Sequence, residues 1–353
     1  MDLPDNVQEY LRFAREYGAS DLHLTTGARP HWRLNGYLSA IWEEAPIMDL
    51  AKTEACVESL ITDKQKALLD KDGHLDFSYS DGPDRYRASV VKHRQGYGLV
   101  FRVVSGEIKN LAQLGIDCKA LVDLCQYQNG IILVTGSMGS GKSTTLAALV
   151  DYINQNRKEH ILTLEDPVEF VFESVQSQIN QREIPTHSES FSRALRASLR
   201  EDPDVIMVGE MRDLETISLA LTAAETGHLV IATLHTANAI GTLDRIMDAF
   251  PAAQRDQIRV MLAESLRGIF CQQLIPRIDG ESLVVAHELL LNNMAVANCI
   301  REGKTFMLRG IMQIAKNEGM VLMDETLMNL RTANLISEEE FRARLSDVES
   351  YTS

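Results

Sequence analysis

Ile131-Ile132-Leu133-Val134, then Gly136-Ser137-Met138-Gly139-Ser140-Gly141-Lys142-Ser143, then a helical run to Asn154: this stretch decides the fold. Four consecutive apolar residues are the length of a fully buried strand. The loop that follows has the spacing Gly-x-x-x-x-Gly-Lys-Ser. Its glycines let the backbone turn so that successive N–H groups point inward at phosphate oxygens. The helix opening near Lys142 aims its positive end at the same point. In such a loop Lys142 reaches the β- and γ-phosphates of ATP, and the Ser143 hydroxyl ligates Mg2+. Gly136, Ser137, Met138, Gly139, Ser140, Gly141, Lys142, Ser143 and Thr144 are the expected nucleotide contacts. A chance glycine-rich turn lacks this setting, strand before and helix after.

Outward from the loop, strands and helices alternate. Ile161 to Leu164, Val205 to Val208 and Leu229 to Thr233 read as strands. Phe191 to Arg200 and Leu214 to Glu225 read as helices. That alternation predicts an α/β fold with a parallel sheet covered on both faces. From about residue 250 onward the pattern reads as mostly helical. Ser337-Glu338-Glu339-Glu340 has the form of a capping box opening the last helix.

Ligands of open α/β sheets gather at the carboxyl ends of strands, and acidic residues fall there. Glu210 follows Val205 to Val208 through Gly209, and Glu165-Asp166-Pro167-Val168-Glu169 follows Ile161 to Leu164. ATP hydrolysis needs one group that holds magnesium and one that orients the attacking water. Glu210 is the first candidate for either role; Glu165 and Glu169 come second, with surface acids or helix caps as the plainer alternative. His228 and His235 bracket the strand from Leu229 to Thr233. His235, at its carboxyl end, is placed to sense the γ-phosphate, although a lone histidine is more often structural.

The first third reads differently. An amphipathic helix over 1–17 precedes strand-like pieces at Asp21 to Thr25, His31 to Leu34 and Tyr37 to Ile41, with Asn35-Gly36 as a hairpin turn. A helix over 50–70 and strands at Tyr86 to Lys92 and Gly98 to Val104 complete a small α+β unit, largely antiparallel. Arg85, Arg87, Arg94 and Arg102 cluster on its last two strands. They are a solvated face with ion pairs, or guanidiniums that reach a nucleotide on a neighbouring subunit. Residues 105–120 read as a linker.

The whole chain sets bounds. It has 353 residues, 45% of them hydrophobic, and a formal charge of −15. That balance supports two or three folded domains and argues against a nucleic-acid or anionic-membrane binder, which needs a basic face. The five cysteines include no Cys-x-x-Cys pair, which argues against a disulfide framework or a four-cysteine zinc site. The acidic start carries no apolar signal core, and no apolar run approaches the roughly 18 residues of a membrane span. Work at a membrane then requires a partner.

Several stretches in order resemble the PilT-type retraction ATPases of type IV pili, within the secretion ATPase superfamily. They are Ala19-Ser20-Asp21-Leu22-His23-Leu24, the phosphate loop, Leu164 to Phe170, Leu199 to Asp204, Val208 to Asp213, and Glu225 through His235. The similarity runs nearly end to end. It implies a PAS-like α+β domain over 1–105, a linker over 106–118, a RecA-like ATPase domain over 119–290 and a helical region over 291–353. It implies a homohexameric ring, ATP and Mg2+ held between subunits, and Arg87 and Arg102 contacting nucleotide. It also implies a cytoplasmic motor at the inner face of the membrane, acting on an inner-membrane pilus platform protein, and leaves open an accessory paralogous retraction ATPase as a partner. A late family motif, Ala-Ile-Arg-Asn-Leu-Ile-Arg-Glu, reads Ala295-Val296-Ala297-Asn298-Cys299-Ile300-Arg301-Glu302 here. Arg301 and Glu302 are kept; Ala297 and Cys299 replace an arginine and a leucine. The alternatives are an accessory retraction (PilU-like) ATPase, a pilus-assembly or type II secretion ATPase, a RecA-type nucleic-acid translocase and a nucleotide-binding scaffold without turnover.

Overall fold

The computed structural model describes residues 6–34, 37–82, 84–104, 106–280 and 282–345. The chain divides into two compact units. The first runs to Glu107 and also takes in Pro167–Val171; the second comprises the rest.

In the first unit, α1 (Val7–Glu16) is capped by Asn6, whose side chain accepts from the Glu9 N–H, and it buries Val7, Tyr10, Leu11 and Ala14 along one face. β1 (Asp21–Thr25), β2 (His31–Leu34), β3 (Tyr37–Ala40), β4 (His74–Asp81), β5 (Asp84–His93) and β6 (Gly96–Val104) form an antiparallel sheet in the order β3-β2-β1-β6-β5-β4. Leu34 pairs with Tyr37, as a hairpin at Asn35-Gly36 requires; those two residues themselves lie outside the described ones. Alternation is clean on β5, where Tyr86, Ala88 and Val90 point into the core and Arg87 points out. The stretch 50–70 is two helices rather than one: α2 (Leu50–Leu60) and α3 (Asp63–Asp72). They separate because Thr62 and Gln65 form a reciprocal capping box that starts a new helix. β4 was not among the expected strands.

The second unit opens with α4 (Lys119–Leu124) after a stretch that buries Leu111, Ile116 and Cys118. Its sheet holds β7 (Gly130–Thr135), β8 (His160–Glu165), β9 (Gln178–Glu183), β10 (Val205–Val208), β11 (Leu229–Leu234), β12 (Leu266–Pro276) and β13 (Leu283–Leu291), in the order β13-β12-β7-β11-β10-β8-β9. Six strands are parallel; β13 is an antiparallel edge. β7 and β11 are buried at every residue, which is why they read as uninterrupted apolar runs. α5 (Lys142–Asn156), α6 (Phe191–Ser198), α7 (Leu214–Glu225), α8 (Ala239–Ala249) and α9 (Ala252–Ser265) pack around this sheet.

Two strands overturn the expectation of a helical chain from about 250 onward. β12 and β13 pair over nine residue pairs and complete the sheet beside β7. β12 escapes a pattern reading because it begins directly at Leu266, where α9 ends, with no turn residue between. Helices do fill the remainder: α10 (Met294–Glu302), α11 (Leu308–Ile314), α12 (Met323–Thr332) and α13 (Glu338–Arg344). The Ser337 hydroxyl accepts from the Glu340 N–H, so the last helix is capped at the expected residue, but the Glu340 carboxylate pairs with Arg344 rather than closing a capping box.

On β13, His287 packs its ring against Phe270 at 5.2 Å between centroids. Burial pushes its pKa down to about 4. The imidazole is therefore neutral in the fold, while the unfolded chain takes up a proton below about 6.5. The stability this neutral state preserves is complete above that value and is lost as pH falls toward 4. His287→Phe is expected to reduce the loss of stability between neutral pH and about pH 5 by roughly 2 kcal/mol, read from denaturant midpoints at the two pH values.

Candidate functional site

The phosphate loop leaves the end of β7 and turns into α5. Gly136, Gly139 and Gly141 all have positive φ, of 150°, 77° and 87°, a region that side chains disfavour. At Gly136 space demands glycine as well. A Cβ there would sit 2.5 Å from the Gln272 carbonyl oxygen and closer still to the Ser140 hydroxyl. Lys142 is nine-tenths buried, and its ammonium donates to the carbonyls of Gly136 (3.0 Å) and Ser137 (2.8 Å). Met138 is almost wholly exposed at the loop tip, and Ser143 is exposed in the first turn of α5. The loop presents main-chain N–H groups and a helix amino end, the arrangement that cradles phosphate.

A residue the sequence reading did not single out forms the floor of this loop. Gln272, on β12, is 1% exposed, and its Nε2 donates to the Ser140 carbonyl at 2.6 Å. The same Nε2 lies 3.1 Å from where a Cβ on Gly141 would stand. No local pattern marks a lone glutamine on an unrecognised strand; its role follows from β12 lying beside β7.

The carboxyl ends of β7, β11, β10 and β8 adjoin in that order. With one strand between β7 and β10, the loop and Gly209-Glu210 are on the order of 10 Å apart. Glu210 Oε1 lies 2.9 Å from His235 Nε2, and Oε2 lies 2.8 Å from the Arg212 guanidinium. Glu210 and His235, expected separately as site residues, are thus brought together; Arg212 is an addition. Burial raises the Glu210 carboxyl, but the hydrogen bond and charge of Arg212, with His235 behind them, outweigh it. The carboxyl is left below its ordinary value, so it is an ionised acceptor. The Thr233 hydroxyl donates to the Gly209 carbonyl, and the Met211 N–H donates to the Thr233 carbonyl at 3.1 Å. These bonds lock the ends of β10 and β11 together.

Glu165 ends β8 and is buried, accepting from the Thr163 hydroxyl at 2.6 Å and the Gln181 amide at 3.0 Å. Glu169, half-buried, falls in Pro167–Val171, the segment that belongs with the first unit. In that unit Arg85 and Ser78 both donate to the Val168 carbonyl. His228 stands at the amino end of β11, six residues from the cradle end, where its Nδ1 bonds the Ala223 carbonyl and closes α7. The structure therefore separates it from His235. Arg87 and Arg102 face each other across β5 and β6, both exposed, with Arg102 bonded to the buried Asp21 at 3.0 Å. Arg301 and Glu302 end α10 and are exposed; Arg301 bonds Asn298, and Glu302 pairs with Lys304.

Among the described residues no cluster of three or more His, Cys, Asp or Glu is arranged to hold a metal. Mg2+ does not need one: it is held by one or two protein oxygens, substrate phosphates and water. The Ser143 hydroxyl and the ionised Glu210 are hard oxygen donors of the right kind, so the residues present fit that ion.

Residues 3–348 match the family model described as Type II/IV secretion system protein, and the chain belongs to that family. It is 42% identical over 347 residues to the type IV pilus retractation ATPase PilT of Pseudomonas aeruginosa, covering 98% of this chain and all of that one. It is 43% identical over 322 residues to a twitching motility protein of Neisseria gonorrhoeae, covering 91% and 85% of the two chains. A solved structure of the pilus retraction motor PilT with bound ADP superposes with a TM-score of 0.91 at 43% identity, covering 99% of each chain.

Gly136→Ala is expected to weaken binding of ADP by at least about tenfold, because the Cβ displaces either the loop or β12. Calorimetric titration of the purified variant checks this, with Gly115→Ala, a positive-φ glycine with open space around it, as control for backbone strain alone.

Proposed function

We propose that this chain is a magnesium-dependent ATPase that works as a homohexameric motor for type IV pilus retraction and twitching motility. The observation that carries the proposal is the joint placement of an amide-lined phosphate loop and the Glu210–His235–Arg212 cluster at adjoining strand ends. The near full-length similarity to a PilT retraction ATPase supports it. In this reading the first unit is a PAS-like domain and the second a RecA-like ATPase domain, with 106–118 as the linker and helices α10 to α13 as a carboxyl-terminal helical region of the second unit. The assembly acts in the cytoplasm on a platform protein at the inner membrane. No helix among the described residues is long and apolar enough to cross a membrane, so that contact falls to the partner.

The chemistry follows from the residues in place. The loop amides and the amino end of α5 bind the ATP phosphates. Lys142, now bonded to loop carbonyls, swings to the β- and γ-phosphates. Mg2+, when bound through Ser143 and Glu210, supplies charge neutralisation at the phosphates. Glu210, kept ionised, accepts a hydrogen bond from the attacking water and aligns it with the γ-phosphorus. His235 holds the Glu210 carboxylate in position and responds when the terminal phosphate leaves. Glu165 steadies the end of β8. Arg87 and Arg102 are assigned to the nucleotide of a neighbouring protomer, with Glu169 near the same exchange; Arg301 and Glu302 are assigned to passing the motion on from α10.

Lys142→Ala is expected to lose nucleotide binding and turnover together. Glu210→Gln is expected to bind ATP within severalfold of normal and lower phosphate release by a factor of about 100 or more. A Glu210→Gln protein with an unaltered rate removes the mechanism. In cells, deletion of the gene should give excess pili without twitching; loss of pili would indicate assembly instead.

Arg212→Ala removes the partner that keeps the Glu210 carboxyl low. Its pKa should rise, so a higher pH is needed to keep it ionised. The acid limb of the kcat–pH profile is expected to move toward neutral pH. An unmoved limb would mean that Glu210 is not the group titrating.

A further inference from the structure

Strand β13 carries a carboxylate that the site above does not use. Glu288 is 7% exposed. Its Oε1 accepts from the main-chain N–H of Ala239, the first residue of α8, at 2.8 Å. The first turn of α12, from Met323, lies beside the same carboxylate, and α12 is tied to the preceding residue of β13: the Thr326 hydroxyl donates to the His287 carbonyl at 2.8 Å and accepts from the His287 N–H at 3.1 Å. One buried carboxylate therefore caps the amino end of α8 and stands beside the first turn of α12, two helices that are distant in sequence. Close by, the wholly buried Asp324 pairs with Arg309 at 2.7 Å. Burying a carboxylate is costly, and a well-packed apolar side chain commonly holds such a junction at lower cost. What the carboxylate adds is geometry, since both helix ends must meet one small group.

The α8 end leads to the catalytic cluster. His235 lies four residues before Ala239, and the intervening loop is tied to α8. The Thr236 and Thr242 hydroxyls are 2.6 Å apart, the Thr242 hydroxyl donates to the Asn238 carbonyl, and the Asn238 side chain accepts from the Gly241 N–H. Movement of the Ala239 amide therefore carries the loop that presents His235 to Glu210. The α12 end leads into the C-terminal helical region.

We propose that Glu288 is a positioning residue that makes the His235–Asn238 loop and the first turn of α12 change conformation together, so that the state of the nucleotide is felt in the C-terminal region. This rests on the nucleotide-binding reading of the phosphate loop. Hydrogen exchange of the full-length protein with and without ADP tests it, following peptides over 136–145, 236–242 and 321–327. All three are expected to gain protection with ADP. In Glu288→Gln, whose amide has one acceptor oxygen where the carboxylate has two, the phosphate-loop response should remain while that at 321–327 is lost. Its kcat should fall about tenfold with ADP affinity unchanged within twofold. A response at 136–145 without one at 321–327 in the unaltered protein overturns the proposal, and this arm stands whether or not the variant folds. An intact 321–327 response in Glu288→Gln overturns it as well. No response at 136–145 removes the nucleotide-binding reading itself, and the coupling with it.

Discussion

Several main-chain N–H groups must converge on one point at the end of β7, and the rest of the second unit is arranged around that demand. Convergence requires positive φ at Gly136, Gly139 and Gly141 and leaves no room for a side chain at Gly136. A loop so bent is held only if its flanks are rigid. β7 is therefore central, paired in parallel with β11 on one side and β12 on the other. Gln272 then reaches across from β12 to the Ser140 carbonyl. The parallel register of β11 and β10 brings His235 and Glu210 to the same edge of the sheet. Sheet order and the geometry of the candidate site are thus one fact seen at two scales.

What the sequence disclosed follows from how completely each element is buried. β7 and β11 carry apolar side chains on both faces, so their composition alone marks them. β9, Gln-Ile-Asn-Gln-Arg-Glu, is a polar edge strand whose existence depends on pairing with β8 and on nothing local. β4 does alternate, with Leu75, Phe77 and Tyr79 on one face, and was legible in principle. β12 and β13 hid inside a helical stretch, and Gln272 and Glu288 were hidden with them. The cradle could be read because its chemistry is local. Its floor could not, because 132 residues separate Gln272 from the Ser140 carbonyl it bonds.

The two histidines that bracket β11 show why spacing alone does not assign a role. Both sit at strand ends, six residues of β11 apart. His228 satisfies a carbonyl at the end of α7, a common duty for a histidine near a helix carboxyl terminus. His235 meets a carboxylate that already has a guanidinium. Only the second arrangement leaves a charged oxygen beside a phosphate site. Parallel strands have two unlike ends, and the direction of β11 decides which histidine can matter.

Arg87 and Arg102 pose the same question where no cradle is nearby in sequence. They are directly opposite on antiparallel strands, where like charges destabilise. Asp21, bonded to Arg102 and 3.9 Å from Arg33, is a single buried carboxylate serving two guanidiniums. The row Arg87, Arg102, Asp21, Arg33 runs in register across β5, β6, β1 and β2 with three positive charges and one negative. A face evolved only for solubility in a chain of charge −15 has acidic residues to spare for neutralising such a row. That row is what the role proposed above for Arg87 and Arg102 draws on: a guanidinium pair of this kind suits an anion such as nucleotide phosphate.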